Sequence, residues 1–564
     1  MKKILLAVIS LIFICLPVTA KQDKSAVTKQ NQTKAADQNQ PVPQAEEPTE
    51  TDANEPPPKP QFGKLVVDIF DTYTNKPTSA RGRLFNYSLS FHKPEARLRI
   101  GGKDLDVYYK TGEKTEELFY SPSHFETQLP VGAYNFLVEK GFEYYPCEKD
   151  FHILADQTTS IKVDLVRWVD MAKEGWLSGD YHNHFDRTAP SSSAEILEIL
   201  KAEDLKIAHS MVSQLGGKLR EVQPTFGKAS VDSNDGYYII SGEEFTHDTL
   251  GHMAFIDIPK LIEPVATGAR RRTDTKADYP TNYQVAKKAK EAGGTVFACH
   301  GGVGEFPVDL ALGVIDGIEV LQGSKWIRIS DSGKQMLLTP SWYHALNCGF
   351  KIPGVAASDY AYLTHKVVNL ECNYVYVGNK LTPEAWLDGL KKGHACMVKG
   401  PMMLNFTVNG QMMGETIKLD KPNQDVELKI SLRARFPFEQ LQIIRNGMII
   451  RDFRNKQRRS NFEYTEKIPV RRSCWFVVRA IAFDPSNPLR GEFLVHSNPV
   501  YVDVEGKPAL VAESVIWWLD KIDELIEWTN RDAIFDRPED KQQTLEIYNK
   551  GKAYYENLLS KCSQ

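Results

Sequence analysis

Trp176-Leu-Ser-Gly-Asp-Tyr-His-Asn-His-Phe-Asp186 is the stretch around which this 564-residue chain is organised. His182 and His184 are separated by one residue. On an extended strand, residues i and i+2 project from the same face, so both imidazoles point the same way and can share one cation. Neutral imidazole is the commonest side-chain ligand for transition metals. Taken alone, such a pair reads more readily as two surface histidines in a loop. The downstream sequence decides between the two readings. Of 13 histidines, nine fall from His182 to His394, and several, with carboxylates, close predicted strands.

Outward from that stretch the rhythm is strand then helix. Leu177–Phe185 reads as a strand and Ala194–Leu205 as a helix, with Ser191 to Ser193 available to cap it. Lys206–Ser213, Tyr237–Glu244 and His252–Ile258 read as strands. Asn282–Ala292 reads as a helix stopped by Gly293-Gly294. Strands follow at Thr295–His300 and Gly317–Leu321, a helix at Ser341–Asn347, a strand at Ile352–Asp359, a helix at Pro383–Lys391 and a strand at His394–Val398. This alternation predicts a β/α barrel over 171–400, and chemistry in such barrels sits at the C-terminal strand ends. His184, Glu244, His300 and Asp359 each close a predicted strand.

The flanks are β-rich. Leu65-Val-Val-Asp-Ile-Phe70, Tyr134-Asn-Phe-Leu-Val138 and Ile161-Lys-Val-Asp-Leu165, separated by turn residues, predict a β-sandwich over 61–170, Ig-like or resembling a carboxypeptidase regulatory domain. It reads as a rigid accessory domain or a carbohydrate-binding one. Val426–Leu432, Leu441–Ile444, Trp475–Ala480 and Pro499–Val504 predict a second sandwich over 401–507, with Asn446-Gly447 as a hairpin turn. Val515, Leu519, Ile522 and Ile526 mark one apolar face in a helical segment over 508–564. An antiparallel pair, Ser514–Trp528 and Glu539–Leu559, is expected there, with Trp517 and Trp518 as packing residues.

Residues 1–20 read as a signal peptide: Lys2 and Lys3, an apolar run from Ile4 to Val18, and Val18-Thr19-Ala20 as the cleavage site. Residues 21–60 hold no aromatic residue and read as a disordered linker. The expected location is therefore periplasmic or extracellular. A formal net charge of −4, with no domain-sized basic field, excludes nucleic acid as an expected partner. Beyond the leader the chain has seven cysteines without a CxxC pair, so buried thiols with at most one or two bridges are expected rather than a thiolate zinc site.

The ordered motifs Gly-Asp-Tyr-His182-Asn-His184, Ser-Gly-Glu-Glu244, Gly251-His252, Ala-Cys-His300 and Ala-Ser-Asp359 resemble the PHP superfamily (polymerase and histidinol phosphatase type), and most closely its CehA/McbA-type metallohydrolases. Lys399-Gly-Pro401, Val408-Asn-Gly410, Leu129-Pro-Val-Gly-Ala-Tyr134 and Glu139-Lys-Gly141 carry the likeness into the flanks. The resemblance implies a distorted seven-stranded β/α barrel, with His182, His184, Glu244, His300 and Asp359 as metal ligands. The usual Asp-His pair after the second strand is replaced by Ile207-Ala-His-Ser-Met-Val-Ser213. The terminal Asp-x-His becomes Asp359-Tyr360-Ala361, and Asp186-Arg187-Thr188 stands in place of Ser-Asp-Gly. The expectation is therefore one or two divalent ions (Zn, Mn or Fe) rather than three.

A divalent ion lowers the pKa of bound water and polarises a substrate oxygen. The implied activity is hydrolysis of a phosphoester or a carboxyl or carbamoyl ester, on a small-molecule or glycan-linked substrate. His209 and His252, and after them His247, are candidate general acids or bases. The loops Gln214–Gly236 and Lys260–Pro280 are candidates for specificity, the second carrying Arg270-Arg-Arg272 as an anion site. The competing expectation is a non-catalytic protein with an attenuated PHP barrel, binding carbohydrate or a cell-envelope surface.

Overall fold

The computed structural model describes residues 61–562, apart from 89, 106, 112–113, 269–276, 303, 323–327, 330–334, 337–338, 361–366 and 484–491. The signal and linker expected over 1–60, and the three arginines at 270–272, lie outside the described residues. Within them the protein is a multidomain, mixed, β-rich chain of several sheets with two long C-terminal helices.

Phe62–Asp71 alternates buried and partly exposed positions along its length, the period of a strand with one face on a core. It pairs in parallel with Thr158–Leu165 and antiparallel with His124–Pro130. A second sheet holds Ala80–Asn86, Gly132–Glu139 and Cys147–Ile153. Leu65, Val67 and Val163 from the first sheet and Leu84, Phe136 and Val138 from the second share one apolar core.

The central region carries the strands read from the sequence, with ends moved by no more than two residues, and adds Cys372–Tyr376. Trp176–Asn183 pairs in parallel with Ile207–Leu215, which pairs in parallel with Tyr237–Phe245. The next two steps, to Met253–Ile256 and on to Thr295–Ala298, are antiparallel. The connection between Phe245 and Met253 is too short for a helical crossover, so the chain turns back on itself there. Gly317–Gln322 and Gly354–Ala357 resume the parallel arrangement. Cys372–Tyr376 then pairs antiparallel with Trp176–Asn183 and with Ala395–Lys399.

Helix boundaries follow local chemistry. Pro383–Lys392 starts with proline in its first turn, Thr382 Oγ1 accepts the Ala385 N–H at 3.3 Å, and Gly393 ends it in the left-handed region at φ 75°.

Ala395–Lys399 also pairs with Glu492–Ser497. The central ladder therefore runs on into the C-terminal strands as one 17-stranded sheet, and the pairing does not isolate a closed barrel among the described residues. Met402–Val408, Gln424–Ala434 and Asn461–Val470 belong to a separate sheet. The two final helices, Ala512–Arg531 and Pro538–Cys562, pack on Phe306–Ala311. Trp518, Ile522, Tyr548 and Tyr555 are buried in that contact. All seven described cysteines are free thiols. No described helix is long and apolar enough to cross a membrane.

Candidate metal centre

The His-x-His strand does not keep strict alternation. Its register against Ile207–Leu215 slips between Asp180 and Asn183, the signature of a β-bulge, which re-aims side chains. Tyr181 and His182 consequently both reach one carboxylate: Tyr181 Oη donates to Glu319 Oε1 at 2.9 Å, and His182 Nδ1 lies 3.2 Å from the same oxygen. The Nε2 atoms of His182 and His184 nonetheless lie 3.3 Å apart.

Glu244, near the end of Tyr237–Phe245, stands between two sets of donors. Its Oε1 is 2.8 Å from His252 Nδ1, 3.4 Å from His300 Nε2 and 3.7 Å from His182 Nε2. Its Oε2 is 3.5 Å from His184 Nε2. Asp359 Oδ1 faces the histidine pair, 3.2 Å from His184 Nε2 and 3.7 Å from His182 Nε2. Three overlapping buried or half-buried groups have ligand atoms within 4.8 Å of one another: His182–His184–Asp359, Glu244–His252–His300 and His182–Glu244–Cys299. Each could hold a metal ion. Imidazole and carboxylate donors suit zinc, iron and manganese, so the donor chemistry fits the expected ions.

The five side chains expected as ligands therefore meet in one place. His252, expected as an acid or base, lies inside the second group. His209 stands apart from all three groups: its buried ring stacks on Trp386 at 5.9 Å, and burial pushes its pKa down to about 3. His247 is held by its own surroundings. Its Nδ1 accepts the N–H groups of Thr249 and Leu250, and its Nε2 lies 3.0 Å from Asp278 Oδ1.

Three contributors escaped the sequence reading. Glu319 is fully buried in Gly317–Gln322 and accepts the His300 N–H at 2.6 Å as well as facing His182. A lone carboxylate inside the apolar run Gly317-Ile-Glu-Val-Leu321 was the available signal. Cys299 falls among the cysteines expected as buried thiols. Glu221 Oε2 lies 3.8 Å from His184 Nδ1, reaching in from the Gln214–Gly236 loop, which the sequence marks as a candidate for specificity but not for the metal centre.

That segment is itself built. Arg187, buried, bonds to Asp232, Ser241 and the Ser230 carbonyl, tying it to the central strands. Asp180, one turn of the pleat before His182, accepts from the Ser358 hydroxyl and from the His182 N–H. It thereby fixes the loop that carries Asp359.

The electrostatics are those of a tightly coupled donor cluster. Burial alone would raise the Glu244 carboxyl, yet His252, His182 and His300 hold it well below its ordinary value. Glu319 is lowered in the same way by His182 and His300. Burial opposes charge on His300, but Glu244 and Glu319 outweigh it and raise its pKa. A cation entering such a cluster exchanges for these protons.

No protein-family model and no curated protein matches the chain. Among solved structures, it is similar to GBS52, a minor pilin of Streptococcus agalactiae, at 17% identity over 20% of this chain and 47% of that one, with a TM-score of 0.14. A streptococcal ancillary pilin matches at 14% identity over 32% of this chain and 43% of that one, TM-score 0.13. The Bacillus anthracis TIE protein matches at 6% identity over 79% of this chain and 50% of that one, TM-score 0.13. The chain thus spans half or less of each of these proteins. Likenesses this low carry no argument about fold or function.

Proposed function

We propose that this chain is an exported metal-dependent hydrolase of the PHP type, related to the CehA/McbA-type enzymes, acting on a phosphoester or a carboxyl or carbamoyl ester. One observation carries the reading: the Glu244 carboxylate lies between the donors His182, His184 and Asp359 on one side and His252 and His300 on the other. In this reading the strands from Trp176 to Ala357 form the distorted barrel. Support comes from the bridge between Asn183 and Tyr360 and from the His184 N–H donated to the Tyr360 carbonyl at 2.5 Å. Both link the end of the last strand back to the first.

His182, His184, Asp359 and Glu244 would hold one divalent ion, and Glu244, His252 and His300 a second. Bound there, such an ion supplies Lewis-acid polarisation and a lowered pKa for water. Glu319 orients the centre: it takes His182 through Nδ1 and leaves Nε2 turned to the other donors, the usual task of a carboxylate behind a metal-binding imidazole. Asp180 and Ser358 hold the Asp359 loop against the His182 backbone.

The test is elemental analysis of protein purified without chelators, beside the double substitution His182→Ala/His184→Ala, with hydrolysis assays on generic phosphate and carboxylate esters. Wild type is expected to carry one or two equivalents of metal and the double variant to lose metal and turnover together. Equal metal content in both proteins refutes the reading and favours the non-catalytic alternative.

A further inference from the structure

We propose that Cys299 is a thiolate donor in this centre and makes it select zinc over manganese. The inference rests on the metal-hydrolase reading above and concerns one residue which that reading leaves unused. Cys299 is fully buried, between the end of Thr295–Ala298 and His300. Its sulfur belongs, with a His182 nitrogen and a Glu244 oxygen, to a group whose donor atoms lie within 4.8 Å of one another. His182 and Glu244 each belong to a second group as well, so Cys299 joins the same centre rather than building another.

Its sulfur is already turned to that centre, in hydrogen-bond contact with the His182 ring. The Phe297 carbonyl is 4.0 Å away, at the outer limit for a sulfur hydrogen bond. Contrast Cys396, whose thiol donates to the Leu404 carbonyl at 3.3 Å and touches Met413 sulfur at 3.4 Å. Cys348, Cys372, Cys396 and Cys474 are equally buried, yet none of them enters a metal-ligand group among the described residues. Burial alone therefore does not account for the placement of Cys299.

Coordination breaks the S–H bond and forms a sulfur–metal bond. The sulfur keeps the electron pair, and the proton leaves to solvent buffer; no oxidant or reductant is required. Thiolate is a soft donor that favours zinc, whereas an all-carboxylate and water environment favours manganese. One sulfur in a set of imidazoles and carboxylates biases the centre towards zinc.

The experiment strips metal from the full chain and titrates it with Co2+ by absorption spectroscopy, using wild type, Cys299→Ser and Cys299→Ala. Each protein is also equilibrated with equal concentrations of Zn2+ and Mn2+ and its metal content measured. Wild type is expected to show a sulfur-to-cobalt charge-transfer band in the near ultraviolet. Both variants are expected to lose that band, keep the visible ligand-field bands and take up a larger share of manganese. Ligand-field bands in wild type without a charge-transfer band overturn this proposal and leave the hydrolase reading standing. So does a charge-transfer band that persists in either folded variant. No cobalt uptake by wild type removes the centre itself and both proposals with it. Near-ultraviolet circular dichroism reports folding, and a single folded variant is enough to assign the band.

Discussion

Glu319→Gln is the most informative substitution in the centre, because it preserves shape while removing one buried negative charge and changing where protons sit. In wild type, Glu319 Oε1 faces the Tyr181 hydroxyl and His182 Nδ1, and Oε2 faces the His300 backbone N–H and, at 3.4 Å, His300 Nδ1. An amide offers one acceptor oxygen and one NH2 donor. The His300 N–H cannot change role, so the glutamine oxygen must take the Oε2 position. Its NH2 then faces Tyr181 and His182. The tyrosine hydroxyl can rotate to accept. His182 Nδ1 can accept only by moving its proton to Nε2, the atom turned towards His184, Glu244 and Asp359. A protonated Nε2 cannot bind a metal ion.

Changes to a carboxylate behind a ligating histidine reduce metal affinity by about 10–100-fold, which is about 1.4–2.7 kcal/mol. A loss within that range is expected here, because the substitution unsettles His182 and leaves the contact to His300 in place. Competition titration of metal-stripped protein against a chromophoric chelator measures the change, and circular dichroism checks the fold. An affinity within about threefold of wild type, a difference smaller than the usual cost of one unsatisfied buried polar group, would refute the tautomer argument.

Further outcomes are expected elsewhere. His209→Gln should leave metal content and the pH dependence of any hydrolysis unchanged, because this ring stacks on Trp386 outside the donor groups; loss of metal would bring it back into the centre. Gly179→Ala would set a Cβ 2.4 Å from two ring atoms of the fully buried Trp386. It should destabilise the fold by about 1–3 kcal/mol in denaturant titration, and an unchanged midpoint would contradict that packing.

A pH effect is expected where the last helix docks. Burial pushes Glu305 up to about 7 from an ordinary 4.5, while it accepts from the backbone N–H groups of Asn282 and Tyr283 and from the Tyr548 hydroxyl. Neighbouring Asp309 is raised as well, by burial and by Glu305. A carboxyl with a raised folded pKa contributes stability that is full below pH 4.5 and is lost as pH rises through 7. Hydrogen exchange in Pro538–Cys562 should therefore quicken between pH 5 and pH 8, after correction for the intrinsic rate, and Glu305→Gln should flatten the trend. An identical trend in the variant would rule out Glu305 as its source.

The sequence made the strands legible because each apolar run is bounded by turn residues or a helix cap, as at Gly293-Gly294 and Thr382-Pro383. It made five members of the cluster legible because His182 and His184 are two residues apart and Glu244, His300 and Asp359 sit at or near strand ends. Other features were hidden for physical reasons. The bulge between Asp180 and Asn183 depends on a partner strand that local periodicity does not reveal. The reversal at Met253–Ile256 depends on a loop length that propensity does not weigh. Glu221 approaches His184 from a segment without period, held by the Ser213 hydroxyl on its carboxylate and by the Arg187 N–H on the neighbouring Val222 carbonyl.

Backbone conformation adds an argument independent of donor chemistry. Glu221, His300 and Asp359 all lie in the left-handed region, at φ 48°, 55° and 47°. Aspartate and histidine visit that region more readily than most residues, so either one alone says little; glutamate has no such preference. Positions of this kind cost roughly 1–3 kcal/mol when strained and persist only where the surroundings over-determine them. At His300 and Asp359 the surroundings are the cluster itself. The His300 N–H is held by Glu319, and the Asp359 N–H by the His182 carbonyl at 3.0 Å. Were these positions merely turns closing strands, glycine would serve at each without strain. The chain instead places a polar side chain facing the cluster at every one, and at His300 and Asp359 uses other cluster residues to hold the conformation. That is the arrangement expected of groups that must meet at a common point.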